Sequence, residues 1–132
     1  MCWISTELPI LLTAEKNLEI LKVGIDNFRG MCSPFRNFKY ILGFLYKIDD
    51  VYAMPINGRY EVNSGFHSYD PRILQTYKNY DSLIIAKGSL RIWTYGAHMS
   101  VFKGFIPKGA HYYSNMSGEL VSDQIVITNK IK

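Results

Sequence analysis

Residues Gly65-Phe66-His67-Ser68-Tyr69-Asp70-Pro71 set an imidazole and a phenol two positions apart, just ahead of a helix-start signal. Side chains alternate between the two faces of a strand, so a strand here puts His67 and Tyr69 on the same face. Asp70 suits an N-cap and Pro71 a first helical position, which brings the free amides and positive dipole end of a helix beside that pair. The chemistry this arrangement offers is capture of an anion. The same residues also have a structural use, in which imidazole and phenol satisfy each other and the backbone at a strand end.

A second corner follows Phe105-Ile106-Pro107, where Lys108-Gly109 turns the chain into Ala110-His111-Tyr112-Tyr113. Lys108, His111, Tyr112 and Tyr113 combine a cation, an imidazole and stacking rings of the kind that hold a nucleotide. In the alternative, the two tyrosines pin the turn by packing. Between the two corners, Arg72, Lys78, Lys87, Arg91, Lys103 and Lys108 face Asp81 alone. A strand over Leu90 to Tyr95 would set Arg91, Trp93 and Tyr95 on one face.

The net charge of +4 arises wholly after residue 66. Residues 1–66 carry seven Lys/Arg and seven Asp/Glu, whereas residues 67–132 carry eight against four. No lysine cluster is dense enough to track a phosphate backbone, so extended nucleic acid is not the expected partner. A small anionic, nucleotide-like ligand or an acidic protein surface fits the charge better. Ten tyrosines also leave room for a homo-oligomeric interface.

Catalytic and metal motifs are missing. There is no Gly-rich phosphate loop, GxSxG elbow, HExxH or CxxC. His67, His98 and His111 lack the pair spacings of metal sites, and Cys32 is a solitary thiol rather than half of a nucleophile–base motif. No catalytic residue, cofactor or metal is assigned, and the motif content leans away from an enzyme.

The elements that must position these groups are mostly strands. With 132 residues, 48% of them hydrophobic and 20% charged, the chain suits one globular domain with its own core and not a disordered segment. Two cysteines without framework spacing point to a reducing compartment. No leader or membrane-length apolar run is visible, so a soluble, cytoplasmic protein without membrane contact is expected.

Asn57-Gly58 predicts a type I′ hairpin between Val51–Ile56 and Arg59–Val62, with Pro55 marking an edge strand. Thr13 to Lys22 reads as a short helix running into a strand at Ile20–Ile25, or as strand throughout. Phe38 to Tyr46 fits a buried strand or a short helix equally well. A helix is expected from Pro71 to about Asn79, and strands over Leu83–Ala86, Leu90–Tyr95, Val101–Ile106 and Leu120–Thr128. The fold class is α+β, mostly antiparallel sheet with one or two short helices.

Two resemblances add to this reading. Phe105-Ile106-Pro107-Lys108-Gly109-Ala110-His111-Tyr112, with Val121-Ser122-Asp123-Gln124-Ile125-Val126-Ile127, resembles the C-terminal strands of ADP-ribosyltransferase-like domains. Asp123-Gln124 stands where that family has Glu-x-Glu, so the resemblance implies a related fold more than the transferase chemistry. The Met1-Cys2-Trp3 opening, the Gly65-Phe66-His67-Ser68-Tyr69 motif and the Ile106-to-Ile127 ending also resemble a group of short proteins of gut bacteria and their phages. That likeness implies an accessory or mobile-element context.

Three functions follow as expectations. The first is a non-enzymatic phage or mobile-element binding protein using His67, Tyr69, Arg91, Trp93, Tyr95, Lys108, His111, Tyr112 and Tyr113. The second is a diverged ADP-ribosyltransferase or NAD-consuming enzyme using His67, Tyr69 and either Glu119 or Asp123. The third is a structural or virion-associated interaction protein.

Overall fold

The structure is a computed structural model that describes residues 3–27, 30–33, 38–62, 64–87, 99–115 and 117–131. The first half runs through β1 (Trp3–Ser5), β2 (Leu12–Thr13), β3 (Leu18–Asn27), β4 (Gly30–Cys32), β5 (Lys39–Ile41) and β6 (Leu45–Lys47). Then come β7 (Met54–Ile56), β8 (Arg59–Val62) and β9 (Phe66–Tyr69), a 3-10 turn at Pro71–Gln75, and helix α1 (Tyr80–Lys87). The chain closes with β10 (Met99–Ile106), β11 (His111–Ser114), β12 (Glu119–Ser122) and β13 (Gln124–Lys130). Every strand pair among the described residues is antiparallel, so the protein is α+β and β-rich.

A small sheet is ordered β1-β8-β7, and a larger one β2-β11-β12-β9-β3-β10-β13-β6, with β4 and β5 attached to β3. The turn after β5 leads straight into β6, so the path through β4 and β5 and the path through β10 and β13 arrive at the same place. The large sheet therefore curls around its inner face. Ile20, Tyr40, Phe66, Phe102, Leu120 and Ile125 fill that concavity. The outer face is covered at one end by the helical segment, where Leu21, Val23 and Val101 pack on Ile73 and Leu83. Elsewhere it meets the small sheet through Val51, Val62, Tyr113 and Val121.

The Asn57-Gly58 hairpin is present between β7 and β8. Both turn residues have positive φ, 49° and 75°, as a type I′ turn requires, and Pro55 lies on the edge strand of the small sheet. Asp70 caps the turn at Pro71, its carboxylate accepting from the Arg72 N–H at 2.9 Å, but the helical segment it starts is shorter than expected and of 3-10 type.

Three expectations are corrected. No helix forms between Thr13 and Leu18, because Leu12–Thr13 is a sheet-edge strand and β3 begins at Leu18. β3 is covered on both faces, which replaces alternation with a nearly continuous apolar run. Leu83–Ala86 lies in α1 and not in a strand: Asn79 accepts from the Ser82 N–H at 2.8 Å and starts the helix, and Leu83 is fully buried beneath it. The expected strand over Leu120–Thr128 is two strands broken at Asp123. Phe38–Tyr46, whose sequence suits strand and helix equally, forms β5, a turn and β6. Val101–Ile106 lies within β10, as expected, whereas Leu90–Tyr95 falls outside the described residues.

Candidate functional site

β3 is paired with the whole of β10 from Leu18 to Ile25, but its other edge is shared. There Leu21 pairs with Tyr69 of β9 and Ile25 with Cys32 of β4, and Lys22–Gly24 have no ladder partner among the described residues. The two neighbours thus part around the middle of β3. A cavity of about 220 Å³ occupies the split.

Lys22 stands at its inner wall. The side chain is only 6% exposed, unusual for an ammonium, and it projects to the concave face with Ile20. Its Nζ donates to the His67 carbonyl across the split and lies 5.3 Å from the centre of the Tyr40 ring. A carbonyl dipole and a ring face both stabilise a buried cation.

One step along from the Leu21–Tyr69 pair, the register sets Ser68 opposite Lys22 on the same face. Ser68 is 1% exposed, and its hydroxyl has no hydrogen-bond partner among the described residues. Aromatic rings flank the two: Phe38 and Tyr40 are 4.8 Å apart at 55°, and Tyr40 meets Phe66 at 6.2 Å and 66°. Such tilted contacts leave ring edges and faces directed into the space between them.

Tyr69 lies on the opposite face of β9, toward α1. Its neighbours are Lys87, from the last turn of α1, and Glu119, its partner on β12. The Lys87 Nζ is 3.6 Å from the Glu119 carboxylate and 5.5 Å and 5.7 Å from the Tyr69 and Tyr77 ring centres. Burial, followed by the nearby Glu119 carboxylate, pushes the Tyr69 hydroxyl well above its ordinary value. The phenol is therefore neutral at any physiological pH and able to donate a hydrogen bond.

His67 and Tyr69, expected to share a face, do so and both line the cavity. The second corner is elsewhere. Lys108 sits in an exposed turn whose N–H donates to Asn17 at 2.9 Å. His111 is bound to the buried Asp123: its backbone N–H donates to one carboxylate oxygen at 2.9 Å, and Nδ1 is 3.2 Å from the other. Tyr112 packs against the concave core, while Tyr113 is buried under the small sheet. None of these four lines the cavity. Arg91, Trp93 and Tyr95 lie outside the described residues.

The acidic candidates separate as well, with Glu119 lining the cavity and Asp123 held by His111. Sequence reasoning missed Lys22, Ser68 and the Phe38–Tyr40 wall. A signal for Lys22 existed, since it interrupts the apolar sequence of Ile20, Leu21, Val23 and Ile25. Ser68 carried none, because its importance depends on what lies across the split.

Alternation puts Ser68 and His67 on opposite faces of β9, so they do not form a nucleophile–base pair. No group of three or more His, Cys, Asp or Glu among the described residues is placed to hold a metal ion. No helix among them is long and apolar enough to cross a membrane. What the cavity can do is seat an anionic group between Lys22 and Ser68, with rings against a flat apolar body. No family model matches the chain, and no curated protein or solved structure matches it either.

Proposed function

We propose that this protein binds a small anionic ligand with a flat body, a nucleotide-like compound being one member of that class, and does not transform it. The observation that carries the reading is Lys22: a lysine buried on a strand in the wall of a ring-lined cavity. Binding sites are commonly concave and mostly apolar, with few polar groups fixing the ligand's orientation. An accessory, mobile-element context, as the sequence resemblance implies, suits a chain that captures its ligand. Thermal shift of the full chain against nucleotides, cyclic dinucleotides, ADP-ribose derivatives and small aromatic acids tests this. A ligand that raises the melting temperature of the native protein but not of Lys22→Met supports it. If none of the panel shifts the native protein, the reading falls.

A second reading draws on one specific juxtaposition. His67, Tyr69 and Glu119 line the same cavity, as a diverged ADP-ribosyltransferase-like or NAD-consuming enzyme would need. Its test is turnover of NAD by the native chain and by Glu119→Gln. Release of nicotinamide that is lost in the variant would favour the enzyme, and absence of release from both would remove it.

A further inference from the structure

We propose that His111, in the corner outside the cavity, is a modification site whose Nε2 accepts a phosphoryl group from a P–N donor of the phosphoramidate class. The pairing with Asp123 settles which ring nitrogen can react. Asp123 is buried; one of its carboxylate oxygens accepts the His111 backbone N–H at 2.9 Å, and the other lies 3.2 Å from Nδ1. A carboxylate only accepts, so Nδ1 must carry the hydrogen. In the neutral ring the lone pair is then on Nε2. The ring is half-exposed, and holding its Nδ1 edge to a buried carboxylate turns the Nε2 edge outward. The same carboxylate stabilises the positive charge the ring gains when Nε2 attacks an electrophile.

The surroundings suit a phosphoryl group better than a neutral acyl group. Thr13 is the cross-strand partner of His111, so its exposed hydroxyl stands beside the ring on one face of the sheet. The Ala14 N–H donates to the Ala110 carbonyl and the Gly109 N–H to the Ala14 carbonyl, both at 2.8 Å, and the Lys108 N–H donates to Asn17 at 2.9 Å. These bonds tie the turn that carries Lys108 to the stretch that carries Lys16. Both lysines are exposed and outside any ion pair among the described residues, and Glu15 is the acid of the same stretch. A hydroxyl and two ammonium groups can serve the charged phosphoryl oxygens, whereas an acyl group offers them a single neutral carbonyl. The transfer balances without a further reactant. The Nε2 lone pair attacks phosphorus, the new N–P bond forms, and the P–N bond of the zwitterionic donor breaks. Ammonia leaves with that electron pair and the three protons it already carries, while the Nδ1 hydrogen stays against Asp123.

The experiment is incubation of the full chain with phosphoramidate at neutral pH, with the phosphate located by peptide mass spectrometry and the ring nitrogen identified by phosphorus NMR. One phosphoryl group should appear, on Nε2 of His111, and faster than at the same residue of the chain unfolded in urea. Asp123→Asn keeps an oxygen for the backbone N–H but offers Nδ1 an amide hydrogen, which moves the ring hydrogen to Nε2, so its phosphorylation should be at least about tenfold slower. A melting curve checks the folding of this variant, and the comparison with the urea-unfolded chain stands whatever its stability. His111→Gln should lose the modification. Equal rates in the native and urea-unfolded chains, or in the native protein and folded Asp123→Asn, overturn the proposal. So do phosphate on Nδ1, phosphate on His67 or His98 in place of His111, and the absence of any uptake.

Discussion

Tyr69 illustrates how a single buried group ties stability to solution conditions. An unfolded phenol ionises near its ordinary value of about 10, whereas burial and Glu119 hold the folded one higher. Below about pH 10 both states keep the proton and the native fold loses nothing. As pH rises past that value the unfolded chain releases its proton and the native chain retains it, so stability falls. Tyr69→Phe should flatten this alkaline limb relative to the native protein, as measured by urea unfolding between pH 9 and 11; parallel limbs would contradict it. Asp123 is a second residue with defined consequences. It is buried, accepts from His111 through both oxygens, and its backbone binds the His111 carbonyl at 3.0 Å and the Ile48 N–H at 2.9 Å. Asp123→Ala removes both side-chain contacts and leaves a part-buried N–H without its acceptor, so a loss of about 1–3 kcal/mol is expected in denaturant titration. The sequence marks Asp123 only through its likeness to an acidic family position, but the structure gives it a joining role between β11, β12 and β13.

Elements whose identity rests on local chemistry were legible in the sequence, and those resting on remote cover were not. The β7–β8 hairpin is specified by Asn57-Gly58, which alone supplies two positive φ angles, and the Pro71 turn by its Asp70 cap. β3 is different, because only the layers on both sides of it explain why Leu18–Ile25 lacks alternation. Leu83–Ala86 reads locally as a strand, which Leu83-Ile84-Ile85 favours; Asn79 as cap and burial of Leu83 reverse that preference within α1. The β10–β13 pairing adds a constraint with no sequence signature. Register shifts between Lys103 and Gly104, and a methyl group on Gly104 would lie 2.0 Å from the Val126 carbonyl oxygen. Backbone cannot yield as a flexible side chain does. Gly104→Ala should therefore cost about 1–3 kcal/mol of stability, read from the shift in denaturation midpoint, whereas Gly58→Asn at the hairpin tip should change it far less.

At the scale of the whole molecule, the cavity exists because one strand serves two neighbours. β9 holds β3 at Leu21 and β4 holds it at Ile25, and these neighbours are separated by more than thirty residues of chain, so no local pattern announces the gap between them. The same split makes that edge of β3 the thinnest part of the large sheet, bridged by the Lys22 contact to His67 instead of a backbone ladder. Amides with few ladder partners open with lower free energy than those at the centre of a sheet. Hydrogen exchange should therefore be faster at Phe66–Ser68 and Val23–Gly24 than at Val101–Phe102 and Ile125–Ile127, which lie in the doubly paired and deeply buried part. A ligand seated across the split stabilises the closed form in proportion to its occupancy, by about 2.7 kcal/mol at a hundredfold excess over its Kd. With a saturating ligand that raises the melting temperature of the full chain, the expected outcome is slower exchange confined at first to the two walls of the split, followed by the global increase as stability rises. Uniform protection in the free protein, or protection on binding that begins at the β7–β8 hairpin, would place the mobile edge and the site elsewhere.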